Sequence, residues 1–516
     1  MSTNNNLFNS IRVRKPKTNT FDLTHDVKMS GQMGELIPIL NIDCVPGDSF
    51  NISNDFFLRY APLQAPIMHR VDVSVHTFFV PYRILWPESQ PGTGGFENFI
   101  TDPSVSVGSV PTVPIASTLS AAQQKFLDYM GIPPNVGGTT VDVNALSLAA
   151  YQCIYNEYYR DQNMIAEVNY QFPSAGGSQP IGIFATMRKR AWEHDYFTSA
   201  LPTAQAGSGV DLPLGNIELD PGYNPASPPP FFIDAAGINA VGNLTAFPGT
   251  PDIETPTQTA LAYDPNGSLI VSATTINDLR RAEKIQQWLE KIIRGGNRYI
   301  ERIWSSFGVM SKDARLNRPE YIGGSKSAVI ISEVLNTSAT ATAPQGDMSG
   351  HGISIGNGTN GNYTCTEHGV IISIMSIMPK TAYQQGIPKM FLKNDPLDYF
   401  WPDFAHLGEQ EITRTELYAY TNAPDTLFGY IPRYSEYKYM PSRVAGDFRT
   451  TLDYWHLGRI FGSAPALNEA FIECDNFGQD LNRIFAVTTD IDNLYIHVVN
   501  KVLARRPMPV FGTPQL

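Results

Sequence analysis

The sequence is short of charge, short of cysteine and free of long apolar runs, and each shortage removes a class of protein. No run of roughly 18 apolar residues occurs, so no membrane-spanning helix is expected. The four cysteines, Cys44, Cys153, Cys365 and Cys474, lie far apart and form no C-x-x-C pair. Buried free thiols in a chain folded in a reducing cytosol are expected, not a disulfide frame or a zinc site. The nine histidines show no H-x-x-x-H or H-x-H spacing, so no metal ion and no cofactor is expected. The opening residues, MSTNNNLFNSIRVRKPK, hold no apolar segment of the kind a secretory signal needs. No repeat at a fixed period is visible, which argues against propellers and solenoids.

Charged residues make up 17% of the 516, against 41 glycines and 39 prolines. That balance favours turns and loops over long solvated helices. With 42% hydrophobic residues the chain can still bury a core. Net charge is −12, unevenly spread. Residues 1–21 carry Arg12, Arg14, Lys15 and Lys17 with no acid, and residues 501–516 carry Lys501, Arg505 and Arg506 with no acid. Two basic ends on an acidic body fit arms that neutralise a polyanion, or ordinary solvated termini. Between Arg190 and Arg280 there is no Lys or Arg at all, and residues 201–275 hold eleven prolines, Pro228, Pro229 and Pro230 among them. FFI at 231–233 and SLIVSAT at 268–274 want burial or pairing. This stretch reads as an insertion with its own short strands that projects from the body, or as a linker between domains.

The clearest strand is 68–87, MHRVDVSVHTFFVPYRILWP. Val71, Val73, Val75, Thr77 and Phe79 fall on one side and Arg70, Asp72, Ser74, His76 and Phe78 on the other, so a half-buried strand ended by Pro81 is expected. Residues 24–45 predict a first strand pair or one bent strand, VPGD at 45–48 a turn, and Asn51–Tyr60 a further extended run. HGVIISIMSIM at 368–378 predicts a fully buried strand, and 484–504 the last strands. Residues 88–141 and 336–364 read as long loops. A helix is expected over Asn144–Arg160. Thr275-Ile-Asn-Asp278 resembles a capping box opening a helix stopped by Gly295 and Gly296, and a second short helix ends at Gly308. The basic residues on this pair interleave with Glu283, Glu290 and Glu301, which favours a solvated face or subunit contact over nucleic acid.

Short motifs add no chemistry. Gly352-Ile-Ser354-Ile-Gly356 matches a nucleophile elbow, but no helix can follow it. Gly323-Gly-Ser-Lys326-Ser reads as a turn, not a phosphate loop. His76 has a hydrogen-bonded structural role as its default. No pair of carboxylates stands out for glycoside hydrolysis.

Longer stretches carry a resemblance: FDLTHDVKMSGQMGELIPIL (21–40), VPGDSFNI (45–52), APLQAPIMHRVDVSVHTFFVPYRILWP (61–87), NEYYRDQN (156–163), RKRAWEHDYFTSALP (188–202), TINDLRRAEKIQQWLEKIIRGGNRYIERI (275–303), FGVMSKDARLNRPEYIGG (307–324), FGYIPRYSEYKYMPSRVAGDFR (428–449) and RRPMPVFGTP (505–514). The chain resembles the major capsid proteins of the microviruses, small icosahedral single-stranded-DNA phages, and of their gokushovirus branch. The resemblance implies a mainly β fold, an eight-stranded antiparallel jelly roll with very long loop insertions and a few helices. It implies one capsid domain over 1–516, assembly through pentamers into a T=1 shell, and a packaged circular single-stranded DNA. It also implies a virion protein assembled in the host cytoplasm. Its expected partners are copies of itself, a small basic internal DNA-binding protein, other virion or scaffolding proteins, and a host cell-surface receptor met by a threefold protrusion. Residues 203–274 are the segment expected to form that protrusion, followed by a helical insertion at 275–308.

A shell subunit needs no catalytic site, so aromatic residues in loops become interface residues. Tyr158, Tyr159, Tyr430, Tyr434, Tyr437 and Tyr439 are the expected subunit contacts. Arg12, Arg14, Lys15 and Lys17 of the N-terminal arm, with Arg505 and Arg506 of the C-terminal tail, are the expected DNA-facing residues, neutralising phosphate without reading sequence. The alternative class is a β-rich carbohydrate-binding protein or glycoside hydrolase, which also has long loops and many aromatics.

Overall fold

The computed structural model describes residues 16–89, 94–101, 109–116, 118–134, 140–207, 210, 217–219, 269–271, 275–296, 298–338, 345–420, 426–475, 480–487 and 492–511. The chain is mainly β, with antiparallel sheets and few helices. It divides into two compact units, Met1–Ala204 with Gly295–Leu516, and Gln205–Arg294.

Ten strands build the first unit's core: β1 (Asn19–Asp22), β2 (His25–Gly31), β3 (Ile37–Cys44), β4 (Ser49–Tyr60), β5 (Val71–Pro81), β6 (Glu320–Ala328), β7 (Ile330–Leu335), β8 (Met348–Thr364), β9 (Gly369–Pro379) and β10 (Leu494–Arg506). In the six-stranded sheet β10 pairs with both β1 and β2 and with β4, β4 pairs with β8, and β8 pairs with β7. The four-stranded sheet runs β6–β5–β9–β3. Every one of these pairings is antiparallel.

The two sheets share one core because their strands alternate. In β10, Leu494, Ile496, Val498, Val502 and Ala504 are buried, while Tyr495, Lys501, Leu503 and Arg505 are exposed. Val71, Val73 and Val75 of β5 and Met375 and Ile377 of β9 meet Phe56, Leu58, Ile496 and Val498 from the other sheet. A second apolar cluster holds Phe50, Ile52, Phe79, Ile371 and Val502. A chain of buried polar side chains also spans both sheets. Asn500 Nδ2 donates to Ile39 O (2.8 Å), Asn54 Nδ2 to Asn500 Oδ1 (2.6 Å), and Asn360 Nδ2 to Asn54 Oδ1 and to Thr77 Oγ1 (2.7 Å). Thr77 then meets Ser373 at 2.7 Å. These pairings satisfy most of the amide groups that would otherwise oppose burial, with Asn360 Oδ1 left without a partner among the described residues, and they tie the two sheets together.

Several expectations change here. Strand β5 is buried on both faces, not one. On its second face Phe78 and Val80 join one apolar cluster with the helix Leu146–Ile154 and the strand Ser109–Ile115. Polar residues stay on that face because they are paired, as Ser74 is with Ser376 at 3.0 Å. The described part of 88–141 is therefore no bare loop. It carries the helices Gly95–Thr101 and Ala121–Tyr129, the latter opened by a capping box between Ser120 and Gln123. The expected helix over Asn144–Arg160 is present as Leu146–Ile154, continued by a wider turn over Tyr155–Tyr159. Strands β2 and β3 do not pair with each other; β2 joins β10 and β3 joins β9, in different sheets. The segment 323–327 is not a turn but part of β6.

The glycine-rich 336–364 is the largest surprise, because most of it is the long strand β8. Its glycines sit against aromatic rings and backbone of its neighbours. A Cβ at Gly356 would lie 2.2 Å from the Phe56 ring, and one at Gly352 would lie 2.8 Å from the Tyr60 ring. Ser354 is buried in mid-strand and donates to Ala328 O (3.0 Å), so no nucleophile elbow exists. The buried strand expected at 368–378 is β9, every residue of it buried. All four cysteines are buried and free.

In the second unit, strand Ile217–Leu219 pairs with Leu269–Val271, within the expected SLIVSAT run. The helix Ile276–Gly295 opens with the expected capping box: Thr275 Oγ1 accepts from Asp278 N and Asp278 Oδ2 from Thr275 N, both at 3.2 Å. The next helix, Tyr299–Phe307, starts in the first unit and ends at Gly308 in the left-handed conformation. FFI at 231–233 and the proline run at 228–230 lie outside the described residues.

Candidate assembly and nucleic-acid surfaces

The alternation of β10 sets where its basic residues point. Arg505 falls on the exposed side, and its Nε donates to Thr18 Oγ1 (3.1 Å). Arg506 turns back into the protein: its Nη2 donates to Asp43 O (2.7 Å), its Nε lies 3.6 Å from Asp48, and its guanidinium stacks over Phe50 at 5.3 Å. The C-terminal basic segment is thus strand as far as Arg506, not tail from residue 501. Lys501 forms an ion pair with Asp55. Strand β1 pairs Thr20 with Arg505 and Asn19 with Arg506, and Asn19 Nδ2 donates to Met508 O (2.6 Å). The chain from Asn19 and the strand end at Arg505 and Arg506 therefore meet at one sheet edge, with Lys17 exposed just before Asn19. Arg12, Arg14 and Lys15 lie outside the described residues.

The six tyrosines separate into two kinds. Tyr158 donates to Pro319 O (2.6 Å), packs on Phe78 at 4.7 Å and carries Arg318 over its ring at 4.8 Å. Tyr159 hydrogen-bonds His76 Nδ1 at 2.8 Å. Both are half-buried and engaged inside the subunit. They line a cavity of about 820 Å³ together with Trp304, Tyr321 and Arg190. Burial, then Arg190 and Lys326, push the His76 imidazole down to about 4, so it is neutral at physiological pH. Burial also pushes the Tyr158 and Tyr159 hydroxyls up. Nearby, Asp72 takes Lys326 at 2.9 Å and Lys380 at 3.1 Å. Burial pushes the Asp72 carboxyl up, but the two ammonium groups outweigh it and hold it below the usual carboxylate range.

Tyr430 is half-buried in the strand Leu427–Pro432, and Tyr434 is buried in the left-handed conformation. Tyr437 and Tyr439 are exposed. Tyr437 adjoins a surface that the residue pattern did not single out, between Ile387 and Leu407. There, three single-turn helices, Lys389–Phe391, Pro396–Asp398 and Pro402–Phe404, replace any strand. Asp395 Oδ1 accepts from Leu397 N (2.9 Å), and Trp401 Nε1 donates to Pro396 O (2.9 Å). Lys393 joins this segment to the tyrosine run: it pairs with Glu436 at 3.0 Å and sits 3.9 Å from the Tyr437 ring centroid. Phe400 meets Tyr434 at 5.0 Å.

The outcome is a held but uncovered apolar surface. Phe391 is 68% exposed, Met390 62% and Trp401 49%, with Leu397, Tyr399 and Phe400 about as open. Fully burying one such side chain is worth about 1.5–3 kcal/mol. Contiguous exposed aromatics on an ordered surface mark a protein contact. The available signal was KMFLKNDPLDYFWPDF, where aromatics stand beside Pro and Asp in turns instead of in a strand pattern. Among the described residues, no group of three or more His, Cys, Asp or Glu side chains could hold a metal ion.

Comparison with known proteins fits this picture. A family model described as capsid protein (F protein) matches residues 10–516. Capsid protein VP1 of Bdellovibrio phage phiMH2K is 34% identical, covering 96% of this chain and 94% of the relative. Capsid protein VP1 of Chlamydia phage 1 is 30% identical, covering 99% of this chain and 98% of the relative. Capsid protein VP1 of Spiroplasma virus 4 is 29% identical, covering 96% and 94%.

Proposed function

This chain belongs to the phage capsid family of the F protein, and from that membership we propose that it builds a T=1 icosahedral shell, by way of pentamers, around a circular single-stranded DNA genome. The strand order supports an eight-stranded jelly roll: β2–β10–β4–β8 faces β3–β9–β5–β6, with β1 and β7 as additions at the edges. Strands β2 to β5 alternate between the sheets, β5 and β6 pair within one sheet, and the chain alternates again from β8 to β10, as that fold requires. The observation that carries assembly is the uncovered aromatic surface around Phe391, Trp401 and Tyr437. A subunit that worked alone would leave it in water.

In this reading Lys17, Arg505 and the residues 12–15 face the packaged DNA, since exposed cations at one place neutralise phosphate without reading sequence. Arg506 then supports that edge from within. Residues 203–274 form the exposed threefold protrusion that meets the host surface. The lack of basic charge and the compact unit Gln205–Arg294 support a separately folded projection. Further partners are a small basic internal DNA-binding protein, other virion or scaffolding proteins, and a host receptor. The subunit resides in the virion after assembly in the host cytoplasm.

The test is to produce the protein with and without its viral partners and follow it by sedimentation. Pentamers and larger symmetric particles are expected. Deleting 203–274 should abolish attachment to host cells while assembly survives; attachment at the undeleted level would remove the protrusion from the account.

A further inference from the structure

The six-stranded sheet ends on an open strand. The chain turns over the side of the sandwich at Val329, whose N–H donates to Val71 O (2.9 Å), and then runs as β7 along β8 alone, from Ile330 opposite Ile353 to Leu335 opposite Met348. Among the described residues, no main-chain or side-chain group hydrogen-bonds to the outer edge of β7. Such an edge is a template for another strand unless charge, proline or a bulge guards it. The sheet's opposite side is guarded by His25, Asp26 and Lys28 of β2, all exposed. On β7 the single charge is Glu333, while Ile330 is 70% exposed and Val334 and Leu335 over half exposed. Ile355 of β8 continues this apolar face.

We infer that β7 pairs antiparallel with the β7 of a second copy, about a twofold axis, so that two sheets become one across the subunit boundary. The sequence IISEVL fits itself in that arrangement. With Ser332 opposite Ser332 of the second copy, Ile330 falls opposite Val334 and Ile331 opposite Glu333. The exposed Ile330 and Val334 then meet on one face, and no two carboxylates face each other. A twofold axis normal to the sheet, passing between the two Ser332 residues, generates this register, and twofold contacts are self-complementary by construction. The inference rests on the shell reading above, because it names one contact that the shell would use.

Hydrogen exchange read by mass spectrometry tests it, on assembled particles and on subunits dissociated from them. The amides of residues 330–335 should exchange about tenfold slower or more in the particle. Val334→Lys places a charge on an exposed edge, so the subunit should keep its fold, judged by circular dichroism, yet lose the twofold contact. Val334→Thr, which suits a strand, should retain it. Particles in which 330–335 exchange as fast as in free subunits would overturn the inference and leave the shell reading intact. Undiminished protection in Val334→Lys particles would overturn it too, since the cover would then be another segment. A wild-type chain that never forms particles would refute the shell reading and this contact with it.

Discussion

Replacing Gly356 by alanine gives a sharp test of why a glycine-rich segment is a strand. Its backbone lies in ordinary extended space, so propensity alone predicts that Gly356→Ala stabilises, by about 0.4–1 kcal/mol through lost unfolded-state freedom. The packing predicts the reverse. The added methyl would sit 2.2 and 2.3 Å from two carbons of the Phe56 ring, where contact is normally about 3.5–4.0 Å. Phe56 is 3% exposed and held in the core with Leu58 and Val498, so the ring has little room to move. Overpacking of this kind costs about 1–3 kcal/mol, which outweighs the entropic gain. The expected net effect is a destabilisation of about 1–2 kcal/mol. In a Phe56→Leu background the obstacle is gone, and the same change should be neutral or stabilising. The coupling between the two sites should reach about 1–3 kcal/mol. Urea unfolding of the four soluble subunits, followed by tryptophan fluorescence and circular dichroism, reads it. A stabilising Gly356→Ala in the wild-type background would refute the reasoning.

Other predictions follow from the same contacts. His76 is held neutral down to about 4 in the fold against 6.5 unfolded. Between those values the unfolded chain binds a proton that the folded chain refuses. Stability should therefore fall as pH drops from 6.5 towards 4, by roughly 3 kcal/mol at full effect. His76→Gln should flatten that slope in denaturation curves at pH 7 and 4.5, and an unchanged slope would exclude the histidine. Arg506→Ala should destabilise the isolated subunit by about 1–3 kcal/mol through its lost hydrogen bond and ring contact. Arg505→Ala should stay within about 0.5 kcal/mol yet lower packaged DNA, read as the absorbance ratio of purified particles. Phe391→Ser together with Trp401→Ser should leave the fold intact and raise subunit solubility while blocking assembly; particles at the wild-type yield would remove that surface from the interface.

What was legible in the sequence follows from how each strand is buried. Strand β9 announces itself as a near-continuous apolar run, and β5 by its period of two. The second buried face of β5 was hidden because Ser74 and His76 read as water-facing. Their partners, Ser376 and Tyr159, are remote in sequence and become visible only when the sheets are assembled. Strand β8 was hidden for a related reason. Its glycines are a response to rings on β4, so composition pointed to a loop while tertiary packing made a strand. The basic ends were visible as charge, but the approach of Lys17 to Arg505 depends on β1 pairing with β10. The surface at Ile387–Leu407 has no periodicity to detect, because single helical turns hold it and its aromatic side chains stay exposed on the chain instead of lining a core.

The central claim is that this chain closes on copies of itself. Electron microscopy of the purified product, made with its viral partners, tests it most directly. The account predicts closed icosahedral shells with density for nucleic acid inside. A monodisperse single subunit at high concentration, with and without those partners, would contradict it.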